Sequence, residues 1–91
     1  MPILMMATVP NMTAEVYAGM MGQMMPSMQA HQGFVSHAGG PNPDGGWRVV
    51  EVWDSQADFE AWFEAYVKPA FPEGAPLPVI AFDELNDVVT A

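Results

Sequence analysis

The sequence predicts an α+β fold in which four strands and two helices follow one another in the order βαββαβ. Three observations lead to this order. Short apolar runs of strand length alternate with two longer segments that carry apolar residues at helical spacing, and proline- or glycine-rich stretches separate these segments. A length of 91 residues is enough for one domain, so we assign residues 1–91 to a single domain.

The composition excludes several classes of protein. Two basic residues against eleven acidic ones give a net charge of −9, which excludes nucleic acid as a partner. A hydrophobic content of 51% is enough to form a core, and the lack of cysteine excludes a disulfide or a thiolate metal site. No apolar stretch is long enough to cross a membrane and no basic residue precedes the first one, so we expect a cytoplasmic protein with no membrane partner.

The first part of the chain is predicted to form a strand and a helix. Residues 2–9 are apolar and end at Pro10, which is typical of a strand. A helix is predicted from Thr13, a suitable N-cap residue, to about Met28. Two glycines weaken this helix by about 1 kcal/mol each relative to alanine, and Pro26 is expected to bend or end it.

The remainder is predicted to form a hairpin, a helix and a last strand. A glycine- and proline-rich loop over residues 39–46 joins the two strands of the hairpin. The second helix is predicted to begin at Ser55 and to stop at Pro69. The three strands of this part are predicted over residues 33–38, 47–53 and 79–82.

The order βαββαβ is that of ferredoxin-like domains, which have a four-stranded antiparallel sheet with two helices on one face. The predicted strands are apolar at consecutive positions, for example at Val49-Val50 and at Ile80-Ala81-Phe82. Strands of this kind are usually covered on both faces. Because two helices cover one face, we expect the other face to pack against a second copy of the chain in a homodimer.

Three segments, Gly33–His37, Gly45–Val50 and Trp53–Phe59, together resemble the antibiotic biosynthesis monooxygenase-like family of dimeric α/β barrels. The resemblance extends from the first strand to the fourth, and its most specific part is the junction Trp53-Asp54-Ser55. It implies a dimeric α/β barrel of secondary metabolism that acts without a metal or an organic cofactor. The implied ligand is a hydrophobic, polycyclic or polyketide-like small molecule.

Carried over residue by residue, the resemblance leaves the reaction open. Trp53 matches a tryptophan of the polyketide oxygenases, whereas Val49 and Phe59 stand where those enzymes have an asparagine and a tyrosine. Trp62 matches a tryptophan of the haem-degrading branch, whose axial histidine is replaced here by Pro72. Three possibilities therefore stand: oxygenation, isomerisation or cyclisation by proton transfer, and binding without catalysis in a small-molecule-binding or stress-response module.

The candidate catalytic residues are His37, Glu51 and Trp53. With a hairpin that closes at the predicted loop, His37 lies opposite Val49 and on the same sheet face as the other two residues. By the resemblance, this face looks toward the helices and the ligand cavity. An imidazole beside a desolvated carboxylate forms a general acid/base pair, and the alternative is a structural hydrogen bond between two half-buried polar groups.

The ligand cavity is expected between the helices and the sheet. Its predicted walls are aromatic and methionine side chains of both helices and the last strand, namely Tyr17, Met20, Met21, Met24, Trp62, Tyr66 and Phe82. The alternative for these residues is an ordinary hydrophobic core. The methionine spacing would also suit Cu(I), but the chain carries no export signal, and we predict no metal site.

Arg48 and His31 are predicted to lie outside the ligand cavity. Arg48 is expected on the opposite sheet face, in the dimer interface, where it would either bind an anion or pair with Asp83, Glu84 or Asp87 of either subunit. His31 is expected to be solvated in a polar loop.

Overall fold

The computed structural model describes residues 1–71, 74 and 78–91. Its strands and helices are β1 (Ile3–Val9), α1 (Ala14–Ala30), β2 (Phe34–Pro41), β3 (Trp47–Trp53), α2 (Gln56–Trp62) and β4 (Val79–Glu84). Helix α2 continues into a π-helical turn (Phe63–Val67) and a 3₁₀ turn (Lys68–Ala70). The predicted α+β fold with the order βαββαβ is therefore confirmed.

The four strands form one antiparallel sheet in the order β2-β3-β1-β4, the arrangement of a ferredoxin-like domain. Both helices cover the same face of this sheet, which we term the inner face. Alternate residues of β1 and β3 are buried there and form a core with side chains of α1 and α2. Within the described part of the chain, no helix is long and apolar enough to cross a membrane.

Helix α1 begins as predicted and extends further than predicted. Thr13 is its N-cap, and the hydroxyl of this residue accepts a hydrogen bond from the Val16 amide at 3.3 Å. Pro26 lies inside the helix and does not end it. Met24 and Met28 are buried in the core on either side of this proline, so packing holds the last turns although the proline removes a backbone donor.

Helix α2 also begins as predicted, with Ser55 accepting a hydrogen bond from the Asp58 amide at 3.1 Å. The helical segment ends at Ala70, close to the predicted stop at Pro69, but it is not α-helical throughout, because a π-helical turn follows Trp62. A π turn holds more residues than an α turn and changes the phase of the residues that follow. The next buried residue after Trp62 is consequently Val67.

The β2-β3 hairpin is longer than predicted. Strand β2 continues to Pro41, because Gly39 and Gly40 adopt strand geometry and pair with Val49 and Arg48. The connecting turn is correspondingly shorter, with the Asn42 amide donating to the Gly46 carbonyl at 3.1 Å. This changes the register of the hairpin, so that His37 lies opposite Glu51 and not opposite Val49.

The second sheet face, which we term the outer face, is apolar and uncovered in the single chain. The side chains of Leu4, Met6, Val50 and Val52 are half-buried or exposed there. Arg48 lies on this face as predicted and donates a hydrogen bond to Asn42 Oδ1 at 3.2 Å. Over residues 1–71, 74 and 78–91, no ion pair joins Arg48 to Asp83, Glu84 or Asp87, so the predicted pairing does not form within one chain.

Candidate functional site

An apolar cavity lies between the helices and the inner face of the sheet, with a volume of about 80 Å³. Its lining includes aliphatic residues of the sheet, such as Val49 and Ile80, and three further groups of side chains. Five methionines contribute, namely Met5, Met12, Met20, Met21 and Met24, together with aromatic residues of the second helical segment, Phe59, Trp62 and Phe63. Tyr17, His37 and Glu51 bring ionisable groups to the same wall. The cavity therefore combines an adaptable apolar lining with a small polar cluster, as ligand sites commonly do.

His37 and Glu51 form a close pair. The hairpin register places them directly opposite each other, and His37 Nδ1 lies 2.6 Å from Glu51 Oε2. The carboxylate side chain is only 3% exposed. Burial of a carboxylate without hydrogen-bond partners is strongly unfavourable. The bond to His37 offsets part of this cost and allows Glu51 to lie in the core.

Trp53 supplies the second partner of the Glu51 carboxylate. Its indole N–H donates a hydrogen bond to Glu51 Oε1 at 2.9 Å, and its side chain is completely buried. Each carboxylate oxygen therefore has a donor, which offsets the cost of removing the charge from water. Trp53 stands behind Glu51 and does not belong to the cavity wall, so the structure gives it a positioning contact with the carboxylate.

Tyr17 completes the cluster from the side of helix α1. Its hydroxyl forms a hydrogen bond with His37 Nε2. Because an ionised Glu51 accepts only, His37 Nδ1 carries the proton, and Nε2 accepts from the Tyr17 hydroxyl. The hydrogen bonds thus run in one direction, from Tyr17 through His37 to Glu51.

The Tyr17 phenol lies in a half-buried aromatic environment. Its ring is 4.8 Å from the Trp47 ring, measured between centroids. Burial raises the pKa of the Tyr17 phenol above its ordinary value of 10.0. The Trp47 indole opposes this increase, since its N–H favours the phenolate, and the negative charge of Glu51 raises the pKa further.

Gly39 allows this contact to form. An added β-carbon there would overlap the Tyr17 hydroxyl and would lie 3.1 Å from Trp47 Nε1. The two polar atoms therefore converge above the same backbone position. The Trp47 N–H is buried, and over the described residues no acceptor completes a hydrogen bond to it. The register of the hairpin places Trp47 on the inner face of the sheet, and its position beside Tyr17 follows from the packing of α1 on that face.

Trp62 is held in the cavity wall by a contact that the sequence did not predict. Its indole N–H donates to Ser27 Oγ at 3.2 Å, and the Ser27 hydroxyl donates to the Met24 carbonyl at 2.8 Å. The first of these bonds connects α2 to α1, and the second holds the Ser27 hydroxyl against its own helix. The only sequence signal was the position of Ser27 one turn after Met24 on a helix, which does not by itself identify a partner 35 residues away.

Most of the predicted wall residues lie at the cavity. The structure brings together Tyr17, Met20, Met21, Met24 and Trp62 with the pair His37 and Glu51, and their function stays a prediction.

Tyr66 and Phe82 do not line the cavity among the described residues. Tyr66 is 50% exposed, because the π-helical turn shifts the phase on which its prediction rested. Phe82 lies on the inner face, but packs against Phe59 with ring centroids 5.5 Å apart, while Ile80 occupies the cavity wall. His31, which was expected to be solvated, is half-buried and keeps part of its surface exposed. Its ring packs in T-shaped contacts with Trp53 and Tyr66, with centroids 5.9 and 6.5 Å apart.

The site does not fit haem. The histidine that lines the cavity, His37, has both ring nitrogens in hydrogen bonds within the chain, so it offers no axial ligand. The other histidine of the chain, His31, hydrogen-bonds the Gln32 carbonyl outside the cavity. Pro72, where the haem-degrading branch has its axial histidine, lies outside the described residues. In the part of the chain that the structure covers, no group of three or more His, Cys, Asp or Glu side chains could hold a metal ion.

Comparison with solved structures identifies the fold. A Mycobacterium tuberculosis protein, Rv0793, is similar over 99% of this chain and 100% of its own, with a TM-score of 0.69 and 14% identity. A Bordetella bronchiseptica protein named as an antibiotic biosynthesis monooxygenase gives a TM-score of 0.63 and 17% identity over 97% of this chain and 98% of its own. SnoaB, a cofactor-independent oxygenase from Streptomyces nogalater, gives a TM-score of 0.58 and 14% identity over 99% of this chain and 96% of its own.

No family model and no curated protein matches the chain. The resemblance seen in the sequence is thus confirmed at the level of the fold, which is the ferredoxin-like fold of the antibiotic biosynthesis monooxygenase-like structures.

Proposed function

We propose that this protein is a cofactor-independent enzyme of secondary metabolism that moves protons on a hydrophobic, polycyclic or polyketide-like small molecule. The reaction class is isomerisation or cyclisation. The observation that supports this proposal is the His37–Glu51 pair, joined at 2.6 Å in the wall of an apolar cavity. Proton transfer requires a positioned base and acid, both of which side chains provide, so the proposed reaction has no need of a metal or an organic cofactor.

The surroundings of the pair support acid/base chemistry over a merely polar contact. The carboxylate of Glu51 would stabilise the imidazolium that forms when His37 takes up a proton, and the apolar lining would strengthen this attraction by excluding water. A positioned acid/base group of this kind typically contributes about 10²–10⁴-fold to a rate.

Binding of a polycyclic ligand would require the cavity to open. Its volume of about 80 Å³ is small beside the ~300–1,000 Å³ of typical sites for drug-sized ligands. Met20 and Met21, which are half-buried side chains of α1, would provide the necessary movement because methionine has three rotatable bonds and no branch.

We also propose that the protein acts as a homodimer in the cytoplasm. The support for dimerisation is the apolar outer face, on which Met6 is 37% exposed and Val79 70% exposed. A second copy related by a twofold axis would cover this face with an identical one.

The function is tested with β-tetralone, a flat, apolar ketone whose acidic C–H groups exchange with solvent. The purified chain is expected to accelerate deuterium uptake by β-tetralone in D₂O, followed by NMR. His37→Gln should reduce the acceleration by about 10²–10⁴-fold. His31→Gln is the matched control, because it makes the same change at a histidine outside the cavity. Acceleration that survives in His37→Gln would contradict the proposal.

A non-catalytic binding module is the second candidate. It is favoured by the fact that both nitrogens of His37 are already hydrogen-bonded, as expected for a purely structural network. Its signature is binding of β-tetralone without accelerated exchange. Oxygenation, the activity given for SnoaB, is the alternative reaction. Consumption of oxygen in the presence of an aromatic polyketide would identify it.

A further inference from the structure

We propose that the Tyr17 hydroxyl, and not the imidazole of His37, is the group that exchanges a proton with the ligand. His37 and Glu51 would then act behind Tyr17 as its base. This inference rests on the proposed function and adds the catalytic residue that contacts the substrate.

Both imidazole nitrogens of His37 are already used in hydrogen bonds within the chain. His37 Nδ1 is hydrogen-bonded to Glu51 Oε2, and His37 Nε2 is hydrogen-bonded to the Tyr17 hydroxyl. A ligand could reach either nitrogen only by displacing one of these partners. The Tyr17 oxygen, in contrast, uses its single hydrogen toward His37 and retains lone pairs for a further hydrogen bond.

The Tyr17 oxygen also has a second polar group beside it. The buried N–H of Trp47 lies at the same point above Gly39, and over residues 1–71, 74 and 78–91 it has no acceptor. A buried N–H group without an acceptor costs free energy. Negative charge that develops on the neighbouring Tyr17 oxygen would accept a hydrogen bond from this group and be stabilised by it. Burial keeps the pKa of Tyr17 above its ordinary value, so near neutral pH the phenol holds the proton that it has to deliver.

The proposed step conserves protons and electrons. A C–H bond next to a carbonyl group of the ligand, or a phenolic O–H bond, breaks, and its proton passes to the Tyr17 oxygen. At the same time the original Tyr17 proton passes to His37 Nε2, which leaves an imidazolium beside the Glu51 carboxylate and an enolate or phenolate in the cavity. Tyr17 then gives a proton to another atom of the anion, while His37 Nε2 returns its proton to the Tyr17 oxygen. Both residues regain their starting states, and the isomerisation needs no oxidant or reductant.

This step defines the class of substrate. The ligand needs an apolar body that suits the methionine and aromatic side chains of the lining, and it needs one acidic C–H or O–H group beside Tyr17. An enolisable ketone fused to an aromatic ring has both properties, and a fully saturated hydrocarbon or a permanent cation has neither.

The test compares Tyr17→Phe with the wild-type chain, using deuterium uptake by β-tetralone and its Kd from equilibrium dialysis. Tyr17→Phe removes one oxygen atom and keeps the ring that packs on Trp47. We expect uptake to fall by about 10²–10⁴-fold and the Kd to stay within about threefold. A double variant with His37→Gln should be no slower than either single variant, because residues that act as one unit are not additive.

The outcomes separate this inference from the proposed function. Wild-type exchange that is lost in His37→Gln but retained in Tyr17→Phe would overturn the role of Tyr17 and leave the function in place. Binding of β-tetralone with no wild-type exchange would overturn both. A thermal unfolding curve for each variant identifies loss of fold, and a Tyr17→Phe chain that is folded and inactive supports the inference.

Discussion

At the scale of single residues, the site depends on one buried charge. Glu51 is 2% exposed and is the centre of a chain of hydrogen bonds from Trp53 on one side and from His37 and Tyr17 on the other. A carboxylate in this position is stable only while both donors are present. The same requirement fixes the tautomer of His37, since the nitrogen facing the carboxylate must carry a hydrogen.

The hydrogen bonds of His37 predict its tautomer. In a His31→Gln background, where His37 is the only histidine, heteronuclear NMR of the imidazole nitrogens at mildly alkaline pH should give a ring protonated on Nδ1. Tyr17→Phe should shift the Nε2 signal, because that nitrogen loses its donor. A ring protonated on Nε2 would contradict the direction of the hydrogen bonds.

A further prediction concerns stability at high pH. The folded-state pKa of Tyr17 is raised, so its contribution to stability is fully present below the unfolded value of about 10 and is lost as pH rises toward the folded value. The free energy of unfolding in urea should therefore fall above about pH 10 in the wild-type chain, and Tyr17→Phe should remove part of this fall. Tyr66→Phe is the control for the other phenol. The chain has a single lysine, which limits competing alkaline titrations. An identical fall in Tyr17→Phe would be inconsistent with a raised pKa.

At the scale of elements, helix α1 is stabilised by packing more than by its own propensity. It contains Pro26 and two glycines, and its buried residues Met24 and Met28 supply the compensating contacts. The glycine at position 22 has free space where a side chain would begin, whereas Gly39 in strand β2 has none. The same substitution should therefore have opposite effects at these two positions.

Gly22→Ala is expected to raise the free energy of unfolding by about 1 kcal/mol, which corresponds to an increase in Tm of about 4–8 °C for a domain of this size. Gly39→Ala should lower the Tm, because the added methyl group overlaps the Tyr17 hydroxyl. Thermal unfolding followed by circular dichroism measures both. Equal effects of the two substitutions would mean that Gly39 is not a point of close approach.

The sequence predicted the elements whose own residues determine their structure, and it missed the parts that depend on contacts with other elements. Strand β3 was predicted with the correct bounds because its β-branched and aromatic residues indicate a strand without help from other elements. The end of β2 was missed since Gly39 and Gly40 have the local character of a turn, and only pairing with β3 makes them a strand. Tyr66 was misplaced because periodicity assumes 3.6 residues per turn, which the π-helical turn breaks.

The contact between Tyr17 and His37 could not be predicted from the sequence, because it depends on where helix α1 lies along the strands. Helical periodicity identifies the face of α1 that meets the sheet, but it does not give the position of the helix along the strands. That position follows from packing among residues distant in the chain, such as Trp62 on Ser27. The face of each candidate residue could thus be predicted, whereas the order of the hydrogen bonds could not.

At the scale of the whole molecule, the apolar outer face is the main feature that a single chain leaves unexplained. Leu4, Met6, Val50 and Val52 form a continuous apolar surface across the two central strands. With a net charge of −9, two copies repel each other at long range, and the hydrophobic contact has to outweigh this repulsion. Salt screens the repulsion, so association should strengthen as ionic strength rises.

Val50→Asp tests the proposed dimer. Light scattering at micromolar concentration should give the mass of a dimer for the wild-type chain and of a monomer for Val50→Asp, because the new carboxylate would be buried against its own copy. Val16→Asp, which introduces the same charge at an exposed position of α1, should remain dimeric. A monomeric wild-type chain would refute the dimer, and a dimeric Val50→Asp chain would exclude this face as the interface.

The methionine lining of the cavity has a chemical consequence for the durability of the protein. Thioethers are converted by peroxides to sulfoxides, which are polar and chiral. Five of the residues that keep the cavity apolar are methionines, and three of them, Met12, Met20 and Met21, are only half-buried. Oxidation of these three side chains would therefore make the cavity more polar, and sulfoxide reductases could reverse the change.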